Sequence, residues 1–216
     1  MKTTDFFAWL LVGAHVLLVL FGIFRWSRLD TGCRYIWAWA IVGLAARLLM
    51  LGLQGSPLRL VVTHFYLPIS AVLATGALAS YQSTRRGADT VRIAGYAYVI
   101  AWALLTPLVE TLTNFSRFTA PLRGILIAVV AAFTIASRAR VRQTRALDDR
   151  GTLIAAAFAV LYGATGVIAP YAAVYHLTFS ARITSLLLIR DVIVLAAMMP
   201  MLWACMLHDR DPRRAA

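Results

Sequence analysis

The sequence predicts an all-α polytopic membrane protein, a seven-transmembrane-helix bundle with the N-terminus outside and the C-terminus in the cytoplasm. Three observations predict it. Of 216 residues, 61% are hydrophobic and only 14% are charged, with a mean hydropathy of +0.77, which is too apolar for an ordinary soluble domain. Apolar stretches of roughly 20 residues, enough to cross about 30 Å of hydrocarbon, recur along the chain. Basic residues concentrate in alternate connections, as in membrane proteins of fixed orientation.

Seven spans follow one another along the chain, joined by short polar segments. The first is longer than the apolar region of a signal peptide, and no small-residue cleavage site follows it, so we interpret it as retained. Small residues such as Gly124 permit close helix approach, and Ala159 and Gly163 have the small-xxx-small spacing of a packed helix face. We predict one domain, residues 1–207, and a short basic cytoplasmic tail, residues 208–216. The predicted spans are 6–25, 35–53, 58–81, 93–112, 119–137, 151–175 and 183–206.

The placement of basic residues predicts the orientation. Fourteen arginines follow spans one, three and five or lie in the tail, whereas four basic residues lie on the other side, and the positive-inside rule assigns the richer side to the cytoplasm. Attraction to anionic membrane lipids accounts for the net charge of +12, so no nucleic-acid partner is expected. The fourteen are Arg25, Arg28, Arg34, Arg85, Arg86, Arg92, Arg138, Arg140, Arg142, Arg145, Arg150, Arg210, Arg213 and Arg214; the four are Lys2, Arg59, Arg117 and Arg182.

Ionisable side chains inside the spans form a predicted layer near the outer face. An unpaired charge costs at least about 2.5 kcal/mol near the bilayer centre, so these residues need partners or a function. Counted at 1.5 Å per residue, they lie roughly 3 to 12 Å below the outer ends of five helices. The inner-half segments 17–24, 35–46, 70–81, 93–109, 127–137, 151–160 and 194–206 contain no Asp, Glu, Lys, Arg or His. This asymmetry favours an outward-facing pocket over a passage through the bundle. The candidate ligand-binding residues are Arg47, His64, Tyr66, Glu110, Arg123, Arg190 and Asp191.

Charge pairing within this layer leads to specific expectations. Glu110 and Arg123 flank one short connection at similar depth, so we expect them to form an ion pair. Arg190 and Asp191 are about 100° apart around their helix and are expected to face different neighbours, with Asp191 balancing Arg47. Arg190 would then remain as a spare cation for an anionic or carbonyl-bearing ligand, a lipid headgroup or backbone carbonyls.

The sequence leaves open whether these charges clamp the helices together, bind a ligand or take part in catalysis, which is the least favoured of the three. Our leading hypothesis is a small-molecule or lipid sensor or binding module without catalysis, reached from the outer side. The alternative is a structural or accessory subunit that packs against other membrane subunits. A third, a small-solute transporter of the SWEET type, is disfavoured by the apolar inner half, and spans one to three do not match spans five to seven convincingly.

No cofactor and no metal are expected. A retinal Schiff base needs a lysine in the last helix, and the only lysine is Lys2. The histidines are scattered and no His-x-x-x-His occurs, so a zinc site has no sequence support. Cys33 and Cys205 fall at the predicted cytoplasmic side, where a structural disulfide is not expected.

Two short motifs resemble those of a known group of proteins. The run His64, Phe65, Tyr66, Leu67, Pro68 opens the third helix, and Asn114, Phe115, Ser116, Arg117 precede the fifth. The chain in this respect resembles a family of uncharacterised bacterial seven-helix integral membrane proteins with His-x-Tyr-x-Pro at the start of the third helix. That family usually has an acidic residue two positions further on, where this chain has Ser70. The resemblance implies a seven-helix fold in the bacterial inner (cytoplasmic) membrane and implies no activity.

Overall fold

The structure, a computed structural model, describes residues 3–113, 116–140, 149–175 and 180–207. This part of the chain forms seven helices, each long and apolar enough to cross a membrane. By helix length and hydropathy the protein is therefore a multi-pass membrane protein, and the predicted all-α seven-helix class is confirmed. The helices are α1 (Thr3–Arg25), α2 (Thr31–Gly52), α3 (Leu58–Ser80), α4 (Arg85–Val109), α5 (Thr119–Ala139), α6 (Arg150–Tyr175) and α7 (Ser180–Met206), with a short 3₁₀ turn at Trp26–Arg28.

Helix capping explains where two helices depart most from the predicted spans. The helix α2 begins at Thr31 rather than at residue 35, because the Asp30 carboxylate accepts a hydrogen bond from the Cys33 N–H at 2.7 Å. The helix α4 begins at Arg85 rather than at residue 93, because the Thr84 hydroxyl accepts one from the Gly87 N–H at 3.1 Å. Both helices therefore extend by a polar first turn that hydropathy alone excludes.

Sequential helices run antiparallel, and α3 occupies the centre of the bundle. It packs against α2, α4, α5 and α6, while α1 packs against α2 and α7 and so closes the bundle. The C-termini of α1, α3, α5 and α7 thus lie together with the N-termini of α2, α4 and α6, and we call this arginine-rich side the basic end. That the basic end faces the cytoplasm stays a prediction.

The closest helix approach is between α5 and α6. A Cβ atom on Gly124 would lie 2.5 Å from the Cα of Gly166 and 2.9 Å from the carbonyl oxygen of Tyr162, so only glycine fits there. At Gly163 an added Cβ would meet only the Ala128 side chain, at 4.0 Å. The tight contact on α6 is therefore at Gly166, beyond the pair that the small-xxx-small spacing indicated.

Candidate ligand-binding site

Glu110 follows the last residue of α4, and its carboxylate caps the start of α5. The backbone N–H groups of Phe118 and Thr119 donate to its Oε1 at 2.5 and 3.1 Å, and the Thr119 hydroxyl donates to Oε2 at 2.7 Å. Phe118 precedes the helix and has no side-chain acceptor, so a carboxylate from the neighbouring helix takes that role. The predicted ion pair between Glu110 and Arg123 does not form, because the carboxylate is directed to the helix terminus instead.

Further groups surround the same carboxylate. The Ser116 hydroxyl lies 3.2 Å from Oε2, and the Nδ1 atom of His64 on α3 lies 4.0 Å from it. The His64 side chain is only 1% exposed, so this contact is shielded from solvent. Converging donors at a helix N-terminus stabilise the ionised carboxylate. The negative charge of Glu110 is consequently balanced locally by the helix terminus.

Arg123 reaches across from α5 to α3. Its Nη1 donates to the Ser70 hydroxyl at 2.6 Å, and Ser70 in turn donates to the Leu67 carbonyl at 2.9 Å. The guanidinium lies over two aromatic rings, 5.6 Å from the centre of Tyr66 and 5.2 Å from that of Tyr162. Within the described residues its Nε has no hydrogen-bond acceptor, and no carboxylate pairs with it.

Arg190 and Asp191 pair with each other. The Arg190 Nη2 and Nε lie 2.7 and 2.9 Å from Oδ1 of Asp191, and the side chains are 37% and 13% exposed. The expectation that they face different neighbours is wrong, because the long arginine side chain folds back along the helix surface and spans the rotation between adjacent residues. Asp191 is therefore not the dedicated partner of Arg47, and Arg190 is not the spare cation.

Arg47 is, with Arg123, the second arginine of the layer that has no carboxylate partner among the described residues. It is half-buried on α2, and no ion pair or hydrogen bond to it occurs among the described residues. It experiences the charges of Arg190 and Asp191 and lies close enough to Tyr66 to interact with it electrostatically. Tyr66 also interacts with Arg123, whose guanidinium lies 5.6 Å from the centre of its ring, so both arginines that lack a carboxylate among the described residues interact with this phenol.

The described part of the layer carries an excess of positive charge. It contains three arginines, Arg47, Arg123 and Arg190, against two carboxylates, Glu110 and Asp191, which leaves one net positive charge when the histidines are neutral. Uncompensated charge in an apolar environment is costly, and an anion or an oriented carbonyl would offset it. The structure thus brings together the predicted residues of the layer, in a different pairing from the expected one.

A row of aromatic side chains lies next to this layer, toward the middle of the bundle, and was missed by reasoning from charge alone. The Trp39 indole N–H donates to the Tyr162 hydroxyl at 3.0 Å, and the His15 ring stacks on Trp39 with centroids 5.8 Å apart. A Cβ on Gly43 would lie 2.8 Å from the Nε2 of His15 and 3.7 Å from the Tyr66 hydroxyl oxygen. Gly43 therefore provides the space in which these rings meet. No spacing in the sequence indicates this contact between α1, α2 and α6.

A second polar cluster lies at the basic end, where the sequence analysis assigned no site. The Asp30 carboxylate accepts from Arg150 Nη1 at 2.7 Å and from the Tyr81 hydroxyl at 2.9 Å, and Arg150 Nε donates to the Ala204 carbonyl at 2.9 Å. Burial alone would raise the pKa of Asp30, but hydrogen bonds from the Cys33 N–H and from Arg150 hold it below its usual value. This cluster ties the ends of α2, α3, α6 and α7 together.

Asp149 and Arg138 form an adjacent clamp. Arg138 Nε donates to Asp149 Oδ2 at 2.5 Å, Nη2 pairs with Oδ1, and Nη1 donates to the Tyr81 carbonyl at 2.8 Å. Burial opposes ionisation of Asp149, yet hydrogen bonds from Arg138 and Thr152 lower its pKa to about 2. The described carboxylates at this end are thus matched with arginines, in contrast to the layer at the other end.

Comparison with known proteins adds no narrower class. No family model matches the chain, and no curated protein and no solved structure is detectably similar to it. Within the described residues, no group of three His, Cys, Asp or Glu side chains is arranged to hold a metal ion. The fold therefore defines a seven-helix membrane protein, and its function has to be argued from the site.

Proposed function

We propose that the protein is a membrane-embedded binding module for a small anionic or carbonyl-bearing ligand, a lipid headgroup included, held by Arg47, Tyr66 and Arg123. The ligand would enter from the end of the bundle that lies opposite the basic end. The positive-inside rule assigns this opposite end to the outside. The observation that carries the proposal is that neither Arg47 nor Arg123 has a carboxylate partner among the described residues.

The charge excess defines the ligand class. One carboxylate is engaged by the start of α5 and the other by Arg190, so neither can neutralise the remaining arginines without breaking an existing contact. A ligand with one negative charge would bring the layer to neutrality. Guanidinium groups bind carboxylate and phosphate oxygens through paired N–H donors, and the phenol of Tyr66 can donate a further hydrogen bond.

The three binding groups belong to different helices. Arg47 lies on α2, Tyr66 on the central α3, and Arg123 on α5, so a bound ligand would link helices that surround the centre of the bundle. A change in their relative positions on binding is a means of signalling across the membrane. This is the basis for describing the module as a sensor.

Ligand-dependent thermal stabilisation tests the proposal. The detergent-solubilised protein is heated with carboxylates of increasing chain length or with inorganic phosphate at constant ionic strength, and tryptophan fluorescence reports unfolding. A ligand at one hundred times its Kd stabilises the folded state by about 2.7 kcal/mol, or roughly 5 to 11 °C in Tm for a chain of this size. We expect R47Q and R123Q to lose this shift, and R92Q, which removes an exposed arginine at the other end, to keep it.

Charge rescue separates binding from helix clamping. R190Q releases Asp191 to pair with Arg47, so the ligand shift should disappear; R190Q/D191N restores the positive excess and should recover it. Loss of the shift in R190Q with recovery in the double variant supports the anion site. Retention of the shift in both R47Q and R123Q contradicts it. Loss of folding in both, without any ligand effect in the wild type or the double variant, would assign these arginines to clamping.

A further inference from the structure

A cavity of about 250 Å³ opens at the basic end, far from the proposed ligand site. It lies where the end of α1 and the 3₁₀ turn meet the start of α6 and the end of α7. Binding sites for drug-sized molecules usually measure about 300 to 1,000 Å³, so this volume suits a small group. Its lining residues are Arg25, Arg28, Leu29, Arg150, Cys205, Met206 and Leu207.

The three arginines that line this cavity differ in whether a carboxylate balances their charge. Arg150 is fixed by Asp30 and by the carbonyls of Ala204 and Leu207, so its charge is balanced. Arg25 and Arg28 have no carboxylate partner within the described residues; the Arg25 guanidinium lies 5.7 Å from the centre of the Phe21 ring. Among the described residues, the cavity therefore has two arginines without a carboxylate partner beside one guanidinium that is held by Asp30 and two carbonyls.

The cavity lies at the end of a candidate membrane span. Arg25 and Arg28 are in the last turns of the segment Phe6–Arg28, which is long and apolar enough to cross a membrane, and basic residues at such ends attract anionic lipid headgroups. Leu29, Cys205 and Met206 contribute apolar groups to the lining, and the Met206 side chain is exposed, as is that of Phe24, which precedes Arg25 in the sequence. A molecule with an anionic head and an apolar tail matches both surfaces.

We propose that this cavity binds the phosphate group of an anionic phospholipid from the membrane leaflet at the basic end. Arg25 and Arg28 contact the phosphate oxygens, and Arg150, positioned by Asp30, forms the inner wall. The site is independent of the proposed ligand site and uses none of its residues.

Lipid retention measured by native mass spectrometry tests this inference. The full chain is reconstituted in nanodiscs of phosphatidylcholine and phosphatidylglycerol, released, and analysed for bound lipid. We expect one phosphatidylglycerol in the wild type and about tenfold weaker retention in R25Q/R28Q, because charge-assisted contacts to phosphate are lost. R85Q/R86Q removes two exposed arginines at the same end and should retain lipid as the wild type does.

The other outcomes of this experiment either support the phospholipid site or overturn it. R28Q alone changes an exposed side chain and should weaken retention by a few fold even if the double variant does not fold. Equal losses of lipid retention in R25Q/R28Q and R85Q/R86Q would mean that the basic end attracts anionic lipid without a specific site, and this would overturn the proposed site. A second arm adds inorganic phosphate to lipid-free protein: binding of phosphate with no lipid retained would assign the cavity to a free anion and overturn the lipid assignment.

Discussion

Replacing Glu110 should destabilise the bundle by an amount that depends on how many acceptor atoms remain. In E110A, the Thr119 N–H, in a residue that is 0% exposed, loses its acceptor, and so do the Phe118 N–H and the hydroxyls of Thr119 and Ser116, so four donors lose a charged acceptor. Such bonds contribute about 1.5 to 3 kcal/mol each, and partial relaxation toward solvent recovers some of this, so we expect a net loss of roughly 3 to 5 kcal/mol. E110Q keeps one oxygen for the two backbone donors, which both use Oε1, and should lose only about 1 to 2 kcal/mol.

The assay is thermal unfolding in detergent followed by tryptophan fluorescence. At about 2 to 4 °C per kcal/mol, E110A should lower Tm by roughly 6 to 20 °C and E110Q by roughly 2 to 8 °C. D89N is the control, because the Asp89–Arg92 pair at 3.1 Å is 52% and 45% exposed and should change Tm by less than about 2 °C. Equal losses of Tm in E110Q and E110A would assign the effect to charge alone and refute the capping argument. A Tm for E110A within about 2 °C of the wild type, the range expected for D89N, would also refute it.

Three further changes follow from the contacts described. Ser70→Asp gives Arg123 an internal carboxylate, so the ligand-dependent Tm shift should vanish while the bundle stays folded; an unchanged shift would contradict the role of Arg123. Asp149 has a folded pKa of about 2 against 3.8 ordinarily, so its contribution of roughly 2 kcal/mol is complete above about pH 5 and is lost as pH falls from there through the folded pKa of about 2; the pH dependence of Tm should flatten in D149N, and an identical profile would refute this. Gly124→Val forces a side chain against the backbone of Gly166, so size-exclusion chromatography should show aggregation, and a monodisperse variant with wild-type Tm would contradict the close approach.

Hydropathy predicted the helices because their burial in lipid dictates composition along the whole length of each span. It failed at the first turns of α2 and α4, where Asp30 and Thr84 extend the helix into a polar region. A hydropathy window averages over about 20 residues and cannot register a single capping side chain. The capping residues were visible in the sequence, and a search for caps would have moved both boundaries.

The pairing of charges could not be predicted from their spacing. Depth was counted along each predicted helix and stays a prediction; Glu110, counted as lying inside the fourth span, follows the last residue of α4, Val109. Pairing depends on helix rotation and on which backbone groups lack partners, and neither is read from spacing. The Glu110 carboxylate accepts hydrogen bonds at the start of α5 because Phe118 has no side chain that can cap the helix. Arg123 therefore donates to the Ser70 hydroxyl instead of pairing with Glu110.

Ser70 is a position where this chain departs from the family that it resembles, and the structure shows a consequence of that departure. The family that the sequence resembles usually has an acidic residue at this position. In the structure the Ser70 hydroxyl is the hydrogen-bond partner of Arg123, at 2.6 Å. A carboxylate here would have neutralised that arginine, so the serine is part of why the layer keeps its positive excess.

The central claim is that the layer around Arg47 and Arg123 carries one positive charge that a bound anion offsets. Native mass spectrometry of the protein, extracted in mild detergent from its own membrane, tests this most directly. The claim predicts one acidic molecule in this layer, in addition to the phospholipid proposed at the basic end: it is bound in the wild type, in R92Q and in R25Q/R28Q, and is absent from R47Q and R123Q. A wild type without any bound molecule, or the same molecule retained by both R47Q and R123Q, would contradict it.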